Sequence, residues 1–144
     1  MDSLTDIGEL FRAQRFAVLA TESAGQPHGC LVAFAQEDTL KCLLFATNRN
    51  TRKFHDIETN PNVALLVDNR SNNESDFEDA IAVTARGSAR EASGQEREHC
   101  ASLYVAKHPQ LVDFLASADT ALVKVSVDEY IVAAFGRTHT LRPR

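Results

Sequence analysis

Seven short apolar runs limit what this chain can become. FAVLAT (16–21), HGCLVAFA (28–35), LKCLLFAT (40–47), VALLV (63–67), IAVTARG (81–87), ALVKVSV (121–127) and YIVAAF (130–135) each hold five to eight residues. Runs of that length, bounded by polar or Gly- and Pro-bearing segments, read as buried strands rather than helices. ESAGQP and QEDT are turns, so the first three runs form an antiparallel meander. Asp128-Glu129 reads as a turn between the last two runs. Gly136 then breaks the pattern and a basic tail follows.

Helices fall between or outside the runs. Leu4, Ile7, Leu10 and Phe11 recur at helical spacing over residues 3–14, with Ser3 or Thr5 as the cap. A short helix carrying Phe54 and Ile57 ends at Asn60-Pro61. Ser93 and Glu96 have capping-box spacing and open a helix reaching about Lys107, and Pro109 starts another. Residues 68–79 read as a polar, acidic loop. Many short strands with few helices between them predict a mainly β architecture. The expected form is a six- to seven-stranded antiparallel barrel with peripheral helices, in a single domain spanning 1–144, rather than a βαβ fold.

A chain of 144 residues can bury a core that needs neither disulfide nor metal. The net charge of −5 argues against nucleic acid and anionic membrane as partners, because both require a basic face. Cys30, Cys42 and Cys100 are odd in number and lack CxxC spacing, which fits a reducing compartment. The acidic start MDSLTDIGELF is not a secretory signal, and no run has the ~18 apolar residues of a membrane span. The expectation is a soluble cytoplasmic protein.

The chemistry concentrates between the third and fourth runs. Thr47, Asn48, Asn50, Thr51, Arg52 and Lys53 lie within seven residues, where a strand ends and a helix begins. The first N–H groups of a helix lack intrahelical partners, and the dipole there is positive, so an anion is well received. A planar guanidinium beside an ammonium suits a phosphate dianion. A solvated turn is the plain alternative. Against it, cations at a helix start oppose the dipole, and Arg52 and Lys53 make more sense there with an anion present.

Elsewhere the residues offer less. Gly29 and Cys30 keep one strand entry small, so a flat ring can approach the backbone. A barrel strand at a tight bend has the same composition. His28, His55, His99, His108 and His139 have no metal-ligand spacing, and no metal is expected. GxSxG and GxGxxG are both missing.

The pattern FATN-x-x-x-RK-x-x-x-I-x-x-NP-x-V-x-L-L, running from Phe45 to Leu66, resembles the pyridoxamine 5′-phosphate oxidase-like, FMN-binding split-barrel superfamily. RFAVLAT, GQPHG and the late AAFGR are similar to that family as well. The resemblance implies a split barrel that dimerises and holds two FMN molecules at the subunit interface. It implies phosphate contacts from Thr47, Arg52 and Lys53, with Asn50 and Thr51 as further donors. It implies a flavin ring lined by Gly29, Cys30, Leu31, Val32, Phe45 and Ala46. In the oxidases proper, the second strand brings an arginine and a lysine to the flavin, and the fifth a glutamine. Counting from Gln26-Pro27, those positions are Cys30, Ala35 and about Ala82 here. The resemblance therefore implies a flavin-dependent oxidoreductase acting on a small molecule other than pyridoxamine phosphate. The alternative is a non-catalytic module that holds FMN, or another planar ligand such as haem.

Overall fold

A computed structural model describes residues 3–144. The elements are α1 (Leu4–Ala13), β1 (Phe16–Ser23), β2 (Gln26–Gln36), β3 (Cys42–Asn48), α2 (Arg52–Thr59), β4 (Asn62–Asp68), α3 (Asp76–Asp79), β5 (Ile81–Glu91), α4 (Gly94–Lys107), a 3₁₀ turn (Pro109–Leu111), α5 (Val112–Ala116), β6 (Thr120–Ala134) and β7 (Arg137–Leu141). The strands pair antiparallel in the order β3-β2-β1-β4-β5-β6-β7, and β3 also pairs with β6. That last pairing closes six strands into a barrel and leaves β7 as an extra strand outside it. The mainly β split barrel expected from the sequence is the fold observed; residues 1 and 2 of the expected domain lie outside the described residues.

The first hairpin is tighter than the composition of ESAGQP implies. Ala24 (φ 52°) and Gly25 (φ 81°) both adopt left-handed conformations and make a two-residue turn. The strands therefore run on through Ser23↔Gln26, and Pro27 becomes a strand residue.

The second departure is at the far end of the chain. Asp128-Glu129 is not a turn; β6 is one strand of 15 residues that passes through it. The register against β5 shifts between Arg86 and Gly87, so that Arg86 faces Glu129 while Gly87 faces Val127. Asp128 is the extra residue of a β-bulge, which explains how two acids fit mid-strand. Glu129 is then held by Arg86 at 3.1 Å and Arg142 at 3.2 Å. The actual turn is Phe135-Gly136, with Gly136 at φ 87°, and the expected basic tail is β7.

The helices cover the barrel. α1 sends Ile7, Leu10 and Phe11 into the core, where Phe11 meets Phe34 edge-on at 5.4 Å and Tyr130 at 5.8 Å. α2 sends Phe54 and Ile57 into the same core from the opposite end, beside Ala89. α4 packs outside, where Cys100 and Tyr104 cover Ala35, Leu44 and Leu122. Its start is not the expected capping box. Ser93 makes no side-chain cap bond, and Glu96 instead accepts from Arg90 at 2.6 and 2.8 Å and from Lys124 at 3.4 Å. The 68–79 segment is folded rather than loose: the Asp76 carboxylate accepts from Ser71 N at 2.8 Å, Ser71 Oγ at 2.9 Å and Asn72 N at 2.7 Å. Among the described residues no helix is long and apolar enough to cross a membrane.

Candidate functional site

The corner between β3 and α2 is built from its own polar side chains. The Asn48 Oδ1 accepts from Asn50 N at 2.8 Å and turns the chain. Thr51 is the N-cap: its hydroxyl accepts from Phe54 N at 3.4 Å and donates to Asn48 O at 2.8 Å. The buried Thr47 hydroxyl lies 2.9 Å from that of Thr51. Both hydroxyls are thus occupied in shaping the turn. The unused donors are the backbone N–H groups of Arg52 and Lys53, at the open end of the helix. Among the described residues neither side chain carries an ion pair, while Arg49 next door is bound to Glu91 and to Ala118 O. The first turn of α2 contains no acid. Two cations without an ion pair and two N–H groups without an intrahelical partner therefore meet at one helix start, where the dipole is positive.

α2 is fastened so that this corner keeps its place. Asp56, 7% exposed, accepts from the Thr21 hydroxyl at 3.0 Å, and Asn60 Nδ2 donates to Glu22 at 2.6 Å. Both bonds tie the helix to β1. The sequence gives no signal for them, because each joins residues more than thirty positions apart.

Beside the corner the barrel wall is open. β2 pairs with β3 only at Phe34↔Phe45, Ala35↔Leu44 and Gln36↔Leu43. β2 nevertheless extends back to Gln26, and β3 forward to Asn48. The direction of the free backbone groups follows from the ladders. Phe34 N donates to Arg15 O at 3.1 Å, so the even residues of β2 bond toward β1. The odd residues, Pro27, Gly29, Leu31 and Ala33, turn their backbone toward the gap. Arg49 N donates to Asp119 O at 2.9 Å, so Ala46 and Asn48 of β3 face the gap from the other side. Pro27, which has no N–H to offer, sits on the one edge where none is needed.

The residues singled out in the sequence are brought together here, in different roles. Gly29 and Leu31 lie on the open edge, and the Leu31 side chain is exposed. Cys30 and Val32 turn inward, opposite Leu19 and Ala17. Burial raises the Cys30 thiol pKa; nearby Lys53 offsets part of that and Asp56 adds to it. Phe45 is fully in the core, and Ala46 packs beneath α4. Val32 bonds its backbone toward β1 and Phe45 toward β6, so both line the core rather than the gap. Thr47, Asn50, Thr51, Arg52 and Lys53 form the corner. Ala35 is buried under α4, and Ala82 lies on the outer face of β5. No group of three or more metal-ligating side chains occurs among the described residues.

Three side chains to which the sequence assigns no role lie beside the gap: Tyr104 and Lys107 of α4 and its C-cap, the buried His108. Lys107 Nζ donates to Phe11 O at 2.8 Å and Gln36 Oε1 at 2.9 Å, above the Phe34 ring. Burial brings its pKa down to about 8. His108 Nε2 is 2.7 Å from Phe34 O, and the Tyr104 hydroxyl donates to Ala33 O at 2.9 Å. The end of α4 thus grips β2 on three neighbouring residues.

The chain has relatives among known proteins. The family model for pyridoxamine 5′-phosphate oxidase matches residues 5–132. A 5a,11a-dehydrotetracycline/5a,11a-dehydrooxytetracycline reductase from Streptomyces rimosus is 31% identical over 106 residues, covering 70% of this chain and 74% of that protein. A haem-binding protein from Mycobacterium smegmatis superposes with a TM-score of 0.84 at 14% identity, over 99% of this chain and 59% of its own. This chain therefore spans less than two thirds of that protein's length. HutZ, a haem storage protein from Vibrio cholerae, gives 0.73 at 19% identity, covering 93% and 95%. At such identities these two structures show a shared fold.

Proposed function

Because the chain belongs to the pyridoxamine 5′-phosphate oxidase family, we propose that it is an FMN-binding flavoprotein and a flavin-dependent oxidoreductase acting on a small molecule. The observation that carries this reading is the pairing of a free anion corner with an open barrel seam. Arg52 and Lys53, with their backbone N–H groups, would hold the phosphate. The edges at Gly29–Val32 and Phe45–Thr47 would receive the flat ring, with Gly29 leaving the backbone approachable. The residues present fit the group: a dianion meets two cations, and an aromatic ring with polar edges meets unpaired backbone donors and acceptors. FMN, when bound, supplies hydride and electron transfer. The chain's part is to bind, orient and shield it. The Streptomyces relative's description as a reductase supports the enzymatic side of the reading.

A second reading is favoured by one observation. The wall positions that hold an arginine and a lysine in the oxidases proper are Cys30 and Ala35 here, and Ala35 is sealed under α4. A module that holds FMN, or a planar ligand such as haem, without turnover needs neither. Kinetics with the FMN-loaded protein separate the two. Reduction by a nicotinamide or deazaflavin donor, followed by reoxidation by a small acceptor, supports the enzyme. Tight FMN with no donor able to reduce it supports the module.

We also propose that the active form is a homodimer. The outer side of β1, β2 and β4 presents Phe16 (54% exposed), Leu31 (65% exposed), Val18 and Leu66 in one depression, rimmed by Arg15 and Arg70. A second copy covering that face would remove its apolar area from water. Light scattering at micromolar concentration is expected to give the dimer mass; a monomer mass contradicts this.

A further inference from the structure

The bonds that hold α2 to the barrel act on different parts of the helix. Asp56 accepts from Thr21 and Asn60 donates to Glu22, so β1 holds its middle and its end. Packing of Phe54 and Ile57 sets its depth, but apolar contact is not directional. The start of α2 is held from elsewhere. Among the described residues, Arg49 is the one residue of the 49–53 stretch with a hydrogen bond or ion pair to a part of the chain outside β3 and α2. Its amide donates to Asp119 O at 2.9 Å, its Nη1 donates to Ala118 O at 2.6 Å, and its Nη2 is paired with the Glu91 carboxylate.

Both anchor points are firm. Glu91 is the last residue of the β5–β6 ladder, opposite Val123, and the adjoining Ala92 N donates to Leu122 O at 2.8 Å. The 117–119 loop is closed by Thr120 N, which donates to Ser117 O at 3.1 Å, and Arg97 Nη2 holds its near end at Leu115 O, at 2.9 Å. The Arg49 guanidinium is spent on a carboxylate and a carbonyl, so its charge is cancelled where those of Arg52 and Lys53 are not.

We propose that Arg49 is a positioning residue: with Glu91 and Ala118 it ties the start of α2 to the complete β5–β6 ladder, and so fixes the distance between the Arg52–Lys53 corner and the β2–β3 seam. The proposal rests on the flavin reading above. A ligand with its ring in the seam and its phosphate at the corner is held at two points joined by a flexible chain. What the second point adds depends on the spacing of the two. A displaced corner forfeits the phosphate's share of the affinity, while a ligand without a phosphate does not register the displacement. FMN and riboflavin are such a pair.

The test compares Glu91→Ala with Glu91→Gln in the full chain. Both remove the same charge, and only glutamine keeps an acceptor for the guanidinium, so the difference between them isolates the tie. The paired side chains are 37% and 33% exposed, so a moderate effect is expected: FMN binding about fivefold weaker in Glu91→Ala than in Glu91→Gln, with riboflavin binding equal in the two. Equal FMN affinity in the two variants overturns the proposal. Tighter FMN binding by Glu91→Ala does so as well, because the released Arg49 would then be a third phosphate contact. A loss of riboflavin in step with FMN overturns it too, as the mark of a general loosening. The tie is also read without ligand: the Arg49 amide should exchange with solvent faster in Glu91→Ala than in Glu91→Gln, and equal exchange contradicts the tie. An unaltered protein that binds neither flavin overturns the flavin reading alone, and the exchange measurement still decides the tie. For a variant that fails to fold, the unaltered protein supplies the measurement. Its Arg49 amide is expected to be protected, as the bond to Asp119 O requires, and free exchange there overturns the proposal.

Discussion

Two seams of the same barrel are built to opposite ends. Between β5 and β6, eleven residue pairs run from Ile81↔Ala134 to Glu91↔Val123, continuous except at one bulge. Between β2 and β3 there are three. The long seam is so close at the bulge that a Cβ placed on Gly87 would lie 2.1 Å from Ser126 O. Only glycine permits that approach. Charge also closes it: Arg90 and Lys124 face each other across the two strands, and Glu96 of α4 bridges both. At the short seam the backbone is turned toward a gap, and among the described residues the nearby Arg52 and Lys53 carry no ion pair. The difference teaches where each kind of work is done. The complete ladder holds the barrel, while the incomplete one leaves polar backbone and positive charge available to a ligand.

The contrast is most severely tested by exchanging effects between the seams. Replacing both Arg52 and Lys53 by Ala should lower FMN affinity by about a hundredfold or more, since each charged contact to phosphate contributes roughly 1.5–3 kcal/mol. The unfolding midpoint should stay where it was, because neither side chain is paired in the fold. Calorimetric titration with FMN, run beside urea unfolding, reads both. A drop in stability without a loss of affinity would break the division of labour.

Gly87→Ala is the reciprocal change. Its methyl meets backbone rather than a movable side chain, so a loss of about 3 kcal/mol in unfolding free energy is expected. Any FMN affinity of the folded fraction should be little altered. Denaturant melts checked against the wild type settle the first point.

Thr51→Ala sharpens the account of the corner. The cap bond to Phe54 N and the contact with Thr47 are both lost, which should cost about 1 kcal/mol of stability. FMN binding should weaken as well, because the two N–H groups above the cap lose their fixed aim. A variant that loses stability yet keeps full affinity would show that the cap is structural only.

The smallest effect is a pH dependence at the closed seam. Hydrogen bonds from Arg90 hold the Glu96 carboxyl down at about 2, against an ordinary 4.5. A folded-state value below the unfolded one contributes stability above pH 4.5, and that stability is lost as the pH falls toward 2. Glu96→Gln should flatten this part of the stability profile. The carboxylate is about a third exposed and screened by solvent, so the slope is expected to be shallow.

Much of the fold was legible in the sequence because its strands are short, apolar and separated by strong turn residues. The corner was legible for the same reason. Thr47 to Lys53 is a polar run between two apolar strands, and no core position competes to explain it. What failed were places where a local pattern was overruled by distant partners. Asp128-Glu129 looks like a turn, but Arg86 and Arg142 hold Glu129 in a strand and the bulge absorbs Asp128. Ser93 and Glu96 have the spacing of a capping box, but Arg90 and Lys124 draw the glutamate elsewhere. Tyr104 carried no signal at all: in sequence it is one apolar residue on a helix, and its hydroxyl meets a carbonyl 71 positions away. The alternation along β2 also divides Gly29–Val32 into residues facing two directions, which the composition of HGCLVAFA cannot show.

The most direct measurement is a visible absorption titration of the purified protein with FMN, in parallel with the Arg52→Ala, Lys53→Ala double variant. The account predicts a saturable shift of the flavin bands at one FMN per chain, absent or greatly weakened in the variant. A wild-type protein that leaves the FMN spectrum unchanged would reduce the corner to a charged turn and contradict the account.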